Sequence, residues 1–442
     1  MKRSLLNPKS KIQNLKFVAL GLVCWAALAN AQTVSDCLDC HSDSGLTREK
    51  GGSVAVNPEV FKKSVHGQAG LACVDCHQDL KGVKAYPHPV PLKPVECATC
   101  HESENAAYQT SIHGQSLAKT PKGDAATCSS CHGTHDILPP KDPDSKTFRL
   151  NIPATCGHCH LNPEIAGKNA SGSVAKVESY FTSIHGWALA KAGLVNAAVC
   201  TDCHGSHDIH RPTDPKSKVA RALIPKTCSQ CHLGVYQTYL SSIHGEKFAS
   251  GNPDVPVCTN CHNEHRIQLP SDPNSSVNPA HVSRTCSACH ENKALNLKYS
   301  LPTGRLKSYQ SSYHGISNKL GDLTVANCAS CHGYHDVLPS SDPRSTTNPA
   351  NLSKTCGKCH PQGDHPWDIG KIHASKRMEE HWIPRLVQRI YLLLIAATLM
   401  GLLAFIATDL YSRLRVHRAG KKATSGADRP YPISRGDKKD KR

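Results

Sequence analysis

The sequence is short of the residues that usually build a protein core. Aromatic side chains make up 5 % of its 442 residues, with 6 Phe and 4 Trp. Between residues 32 and 389 no long apolar helix or strand pattern is present, which excludes a polypeptide core of ordinary composition. Methionine is scarcer still: beyond Met1 only Met378 and Met400 occur, so thioether ligation of a metal is excluded as a general device. Spare thiols are missing too. There are 23 cysteines, and all but Cys24 fall in copies of one motif.

That motif is C-x-x-C-H, and it occurs eleven times. Its cysteines are Cys37 and Cys40, Cys73 and Cys76, Cys97 and Cys100, Cys128 and Cys131, Cys156 and Cys159, Cys200 and Cys203, Cys228 and Cys231, Cys258 and Cys261, Cys286 and Cys289, Cys328 and Cys331, and Cys356 and Cys359. The adjoining histidines are His41, His77, His101, His132, His160, His204, His232, His262, His290, His332 and His360. C-x-x-C-H is the attachment signature of haem c, in which two thioethers hold the porphyrin edge and the histidine takes the iron from one face. A zinc site or redox dithiol is the competing reading of a C-x-x-C pair. It fails here because every copy is followed by His and no thiol is left to complete a four-thiolate site. The expected cofactor is therefore eleven covalent haems c, which also supply the missing apolar surface.

The motifs are periodic. First cysteines lie 28 residues apart from Cys128 to Cys156, Cys200 to Cys228, Cys258 to Cys286 and Cys328 to Cys356, with Asp142, Asp214, Asp272 and Asp342 at the same offset in each interval. Fixed spacing of this kind marks repeat architecture. One complete copy spans residues 183–232: S-I-H-G at His185, C-T-D-C-H-G-S-H-D from Cys200, an Asp-Pro pair at Asp214, and T-C-S-Q-C-H ending at His232. The Asp-Pro segments read as plain turns and not as calcium loops. Val177, Tyr180, Phe181, Ile184, Ala188 and Leu189 recur at helical spacing, which puts S-I-H-G on a short helix.

Seventeen histidines lie outside the attachment motifs and are the supply of second axial ligands. Six share one context: His66, His113, His185, His244, His314 and, in the departing form K-I-H-A, His373. Four lie three residues beyond an attachment histidine: His135, His207, His265 and His335, of which His265 departs as C-H-N-E-H-R. So close to the proximal ligand, none of these four can reach round the same ring, and each is expected to serve a neighbouring haem. His88 is the best eleventh. His158, His210, His281, His365, His381 and His417 are read as non-ligands. With two imidazoles on every iron no site remains open to substrate, and no C-x-x-C-K variant occurs.

The termini set the compartment. Five basic residues precede an apolar run at 17–28, and Ala29-Asn30-Ala31 offers a cleavage site, so residues 1–31 read as a secretory signal. Residues 32–110 form an N-terminal three-haem region, 111–375 the repeated haem-pair units with eight haems, and 376–389 a juxtamembrane linker. Residues 390–410 form a transmembrane helix with Trp382, Tyr391 and Tyr411 near its ends. The basic tail at 411–442 then lies in the cytoplasm by the positive-inside rule. Five basic residues in the leader and eleven in the tail, against three tail acids, account for most of the formal charge of +17. The remaining 36 basic and 32 acidic residues nearly balance. Haem propionates then make the loaded domain acidic, so nucleic acid is excluded as a partner.

The combination of S-x-H-G, C-x-x-C-H-G-x-H-D and paired C-x-x-C-H resembles the multihaem c-type cytochromes of bacterial respiratory chains, metal reducers included. The stretch H-W-I-P-R from His381 resembles the join to b-type regions in quinone-linked inner-membrane cytochromes. The resemblance implies a mostly α and irregular fold: a multihaem cytochrome c array of haem-pair repeats with one C-terminal transmembrane helix. It implies a periplasmic haem domain on the bacterial inner membrane, a membrane b-type or quinone-linked subunit as one partner, and periplasmic or outer-membrane cytochromes as others. Electron transfer is the expected function. A reductase of nitrogen or sulfur oxyanions with one open haem is the alternative, so enzyme activity stays open.

Overall fold

The computed structural model describes residues 32–48, 51–88, 91–121, 123–169, 173–360, 373 and 382–424. The expected signal sequence, the end of the basic tail, His365 and His381 lie outside the described residues. Among those described, regular structure is helical apart from one bridge between Thr47 and Ser53. This is the mostly α and irregular fold that the family resemblance implies.

Apart from the C-terminal one, the α-helices are four to nine residues long. Helices of that length are marginal in isolation and depend on tertiary ties. The attachment motifs themselves nucleate them: Cys73–Cys76, Cys128–His132, Cys200–His204, Cys258–His262 and Cys328–His332 are each one turn. The second motif of each 28-residue pair falls at the end of a somewhat longer helix, as in Ile152–His160 and Val282–His290. Pro153 and Pro225 sit in the first turn of two of these, where the missing N–H costs nothing.

Each S-x-H-G segment begins a helix, and its four residues have separate jobs. The serine is the N-cap: Ser64, Ser111, Ser183, Ser242 and Ser312 accept the N–H of the motif glycine at 3.0–3.2 Å. The glycine lets two backbones meet. A Cβ on Gly67, Gly114, Gly186, Gly245 or Gly315 falls 2.0–2.2 Å from the carbonyl oxygen of Phe61, Tyr108, Tyr180, Tyr239 or Tyr309. The histidine between them projects from the first helical turn. The helical periodicity around His185 is therefore divided: one helix covers Ser173–Phe181 and a second Ile184–Ala190, with Ser183 capping the second. A single helix does not run through because Ser183 is extended, with φ −75° and ψ 163°.

The Asp-Pro segments are turns. The carboxylates of Asp142, Asp214, Asp272 and Asp342 accept the N–H two residues on at 2.8–2.9 Å. Buried Ser145, Ser217, Ser275 and Ser345 donate back to carbonyls seven residues earlier. Thr155, Thr227, Thr285 and Thr355, each just before a closing cysteine, donate to a turn carbonyl nine residues earlier at 2.6–2.7 Å. These hydroxyl bonds hold the 28-residue interval at one length.

Successive units interlock. The residue before the histidine in S-x-H-G donates its N–H to a carbonyl two residues past the C-H-x-x-H histidine of the next unit. These bonds run from Val65 to Ile137 (2.8 Å), Ile112 to Ile209 (2.7 Å), Ile184 to Ile267 (2.7 Å) and Ile243 to Val337 (2.9 Å). The polypeptide core between them is thin. Among the described residues its buried apolar side chains are four alanines, four valines, Leu189, Pro153 and Pro225, outnumbered by buried serines and asparagines.

At the C-terminus one helix covers Trp382–Thr424. It takes in part of the stretch expected as a linker and the start of the basic tail, because nothing in residues 382–424 after Pro384 breaks a helix. Its apolar segment, Arg385–Arg418, has a mean hydropathy of 2.5 over its best 18 residues and none of that window is buried. At 1.5 Å per residue its 34 residues exceed the roughly 30 Å of a bilayer core.

Candidate haem-binding array

Each attachment histidine faces one second histidine. Ring centres are 6.0 Å apart for His41 and His88, 6.1 Å for His66 and His101, 6.4 Å for His77 and His135, and 6.2 Å for His113 and His160. The separations are 5.9 Å for His132 and His207, 6.2 Å for His185 and His232, and 5.8 Å for His204 and His265. The series closes with His244 and His290 at 6.3 Å, His262 and His335 at 6.0 Å, His314 and His360 at 6.1 Å, and His332 and His373 at 6.2 Å. Two imidazoles on opposite sides of one metal, each nitrogen about 2 Å from it, hold their ring centres about 6 Å apart. The donor set and the spacing thus fit haem iron between two imidazoles, with two cysteines beside each pair.

The pairing follows a rule. S-x-H-G histidines face the closing motif of their own unit, as His185 faces His232, whereas His373 of K-I-H-A faces His332, the opening motif of the last unit. C-H-x-x-H histidines face the attachment histidine of the preceding unit, as His207 faces His132. The interlocking backbone bonds bring these rings across.

Burial suits the rings to metal ligation. It holds His113, His160, His185, His204 and His290 below the usual imidazole range, and pushes His244 down to about 4. A neutral ring keeps the lone pair that a metal needs. At two places the tautomer is also set. His41 Nδ1 lies 2.9 Å from the Val54 carbonyl, and His373 Nδ1 lies 2.9 Å from Ser308 Oγ. Ser308 donates its own proton to the Arg305 carbonyl, so it accepts from His373 and leaves Nε2 free.

The attachment sites follow one another in space as they do in sequence. First-cysteine sulfurs interact between Cys37 and Cys73, Cys97 and Cys128, Cys156 and Cys200, Cys228 and Cys258, and Cys286 and Cys328. The second cysteine of the later motif then approaches the next site: Cys76 to Cys97, Cys131 to Cys159, Cys203 to Cys228, Cys261 to Cys289 and Cys331 to Cys356. Each attachment site therefore neighbours the next one along the chain.

Histidines set aside as non-ligands have other roles or none. His210 Nδ1 pairs with Asp214 at 3.1 Å, and His281 Nδ1 lies 2.9 Å from the Ser275 carbonyl. His158 and His417 are exposed.

The departure at His265 has a local explanation. Gly133, Gly205 and Gly333 follow their attachment histidines in left-handed backbone, with φ of 81–90°, and a Cβ on each falls 2.3–2.5 Å from the Asp three residues on. In the third unit Arg266 replaces that Asp, so the collision is absent. Asn263, a residue that tolerates φ of 65°, takes the glycine position.

Two supports escape a search for ligands. An aromatic residue stands three before each motif serine, and the hydroxyls of Tyr108, Tyr180, Tyr239 and Tyr309 donate at 2.9–3.2 Å to the carbonyl two residues before the following attachment cysteine. Arg149 clamps Asp202 at 2.7 Å and the Ala197 carbonyl at 3.0 Å, tying one unit's turn to the next attachment helix. Arg221 does likewise with Asn260 at 3.0 Å. Their signal is positional: both arginines lie seven residues past the turn aspartate.

Known proteins place the array in a class. A family model described as cytochrome c7 and related cytochrome c matches residues 59–133, which hold the second to fourth motifs. The nine-heme cytochrome c of Desulfovibrio desulfuricans is 22% identical over 324 residues, covering 66% of this chain and 79% of that protein. Multiheme cytochrome MtrA of Shewanella baltica is 30% identical over 130 residues, 28% of this chain and 31% of that protein. No solved structure matches. The motifs, the ring pairs and these relatives together make the chain a multihaem c-type cytochrome. Its cofactor is haem c, and its activity is electron transfer.

Proposed function

We propose that the chain is a membrane-anchored periplasmic conduit that holds eleven haems in sequence order and passes electrons along them. The observation that carries this reading is the facing of all eleven attachment histidines with eleven different second histidines, at 5.8–6.4 Å. Bound haem supplies a one-electron ferric–ferrous couple. The chain's residues fix what that couple can do. Paired cysteines would hold each group in place, and the two facing imidazoles would both ligate its iron, leaving substrate no position. The close succession of attachment sites provides a continuous route.

The anchor in this reading is the helix Trp382–Thr424, with Arg413, Arg415 and Arg418 toward the cytoplasm. It contains no histidine within residues 390–410, so quinol oxidation falls to a separate b-type or quinone-linked membrane subunit. Periplasmic or outer-membrane cytochromes take the other end of the exchange. An acidic haem domain steers partners that present a basic face.

The test is a haem count on purified full-length protein by the pyridine haemochrome method, with the ferric spectrum recorded beside it. Eleven haems per chain, all low-spin, are expected. A high-spin fraction that takes up cyanide or nitrite refutes the conduit and supports the oxyanion reductase. Recovery of the full-length protein in the soluble fraction refutes the anchor alone.

A further inference from the structure

The eleven ring pairs are not alike in the angle between their planes. His77 with His135, His132 with His207, His204 with His265, His262 with His335 and His332 with His373 stand at 32°, 18°, 11°, 21° and 23°. His66 with His101, His113 with His160, His185 with His232, His244 with His290 and His314 with His360 stand at 63°, 48°, 43°, 55° and 43°. The first group contains the second, fourth, sixth, eighth and tenth sites along the series. The second group contains the third, fifth, seventh, ninth and eleventh. Only the first site, His41 with His88 at 13°, precedes the alternation, and it belongs with the near-coplanar group.

The backbone explains why the angle repeats with the motif. Second histidines of the tilted group sit in the first turn of a helix whose start is set by a serine cap, buried in four of the five, and a glycine packed on a carbonyl. In the near-coplanar group four of the five even-site partners sit in a loop two residues beyond a left-handed residue, and that loop is bonded to a neighbouring unit. Each ring is aimed by one of two recurring backbone devices, and the devices alternate along the chain.

The angle has an electronic consequence. An imidazole donates π density only perpendicular to its own plane. Two near-parallel rings act on one iron d orbital, raise it above its partner and favour the ferric state that leaves it half-filled. Two steeply tilted rings share their donation between both orbitals and leave them closer in energy. Axial ligand geometry is thus a lever on potential at constant ligand identity.

We propose that from the second site to the eleventh the array alternates two electronic kinds of bis-histidine centre: near-coplanar centres of lower potential and tilted centres of higher potential. This rests on the two-imidazole reading above. Every step between adjacent sites, beyond the first, then joins one centre of each kind. The alternation is built into which motif supplies the second ligand.

Electron paramagnetic resonance of the fully oxidised full-length protein tests it. Two families of low-spin ferric signals are expected: a rhombic one from the near-coplanar centres and a highly anisotropic one from the tilted centres, integrating about six to five. His207→Met is expected to remove about one sixth of the rhombic family, and His185→Met about one fifth of the anisotropic family. A single family, or both substitutions draining the same one, overturns the alternation. A high-spin signal in the unsubstituted protein fails the two-imidazole reading instead. If a variant does not load haem, the ratio in the unsubstituted protein decides alone.

Discussion

In the N-terminal region, one side chain ties the start of the described chain to the loop after the second attachment helix. Gln32 donates to the Leu80 and Val83 carbonyls at 3.1 and 3.0 Å and accepts the Gly82 N–H at 2.8 Å, some fifty residues away. In the repeated units that work is spread over serine caps, threonine hydroxyls, packed glycines and tyrosine clamps that recur in most copies. The two regions bring the same ring pairs to the same separation. Repetition makes the second solution redundant, because losing one hydroxyl leaves many equivalent ties. The first shares only the Ser64 cap, the packed Gly67 and the Val65 bond with them.

Removing haem is the largest perturbation and strikes both regions. With so few buried apolar side chains, the chain expressed without haem attachment is expected to lack a cooperative thermal transition by circular dichroism. Retained cooperativity would show that the hydroxyl ties of the repeats suffice by themselves.

Next in size are the packed glycines. Gly186→Ala places a methyl 2.2 Å from the Tyr180 carbonyl and is expected to cost about 3 kcal/mol in the loaded protein. Gly234→Ala, with nothing within 4 Å, is expected to lie within about 0.5 kcal/mol of neutral. Equal effects of the two, measured by thermal or denaturant unfolding, would mean that the close approach at S-x-H-G is unimportant.

The third unit supplies a cycle. Gly133→Asn is expected to cost about 2 kcal/mol through the collision with Asp136. Adding Asp136→Arg, as nature pairs Asn263 with Arg266, is expected to recover about half, since the Thr134 N–H loses its carboxylate partner at the same time. Strict additivity in the cycle would rule out the compensation.

Smallest are the single hydrogen-bonding groups. Ser183→Ala removes one cap and is expected to cost about 1 kcal/mol. Gln32→Ala is expected to cost a similar amount but to act on the first two sites alone. Haem-resolved redox titration separates them: only the Gln32 variant should shift the first two centres.

Much of this was legible in the sequence because its chemistry is written in contiguous letters. C-x-x-C-H names its own cofactor, and S-x-H-G and C-H-x-x-H mark the rings by context. Which ring faces which is a property of the fold. His135 and His77 are 58 residues apart, and nothing in either motif specifies the other. The backbone bond from Val65 to Ile137 is among the ties that bring neighbouring segments together, and backbone bonds leave no mark on composition. The Tyr180 clamp is equally hidden, because an aromatic three residues before a serine has the spacing of ordinary helix filling. In the sequence the glycine of S-x-H-G is one letter of a pattern; its cause, a carbonyl 2.2 Å from where a Cβ would stand, belongs to the fold.

The central claim, that every iron lies between two imidazoles and the units clasp one another, is tested most directly by an experimental structure of the haem-loaded protein. Eleven irons are expected, in sequence order, with His135, His207, His265 and His335 each on the haem of the unit before. An iron with a vacant axial position, or any of those four histidines bound within its own unit, would contradict the account.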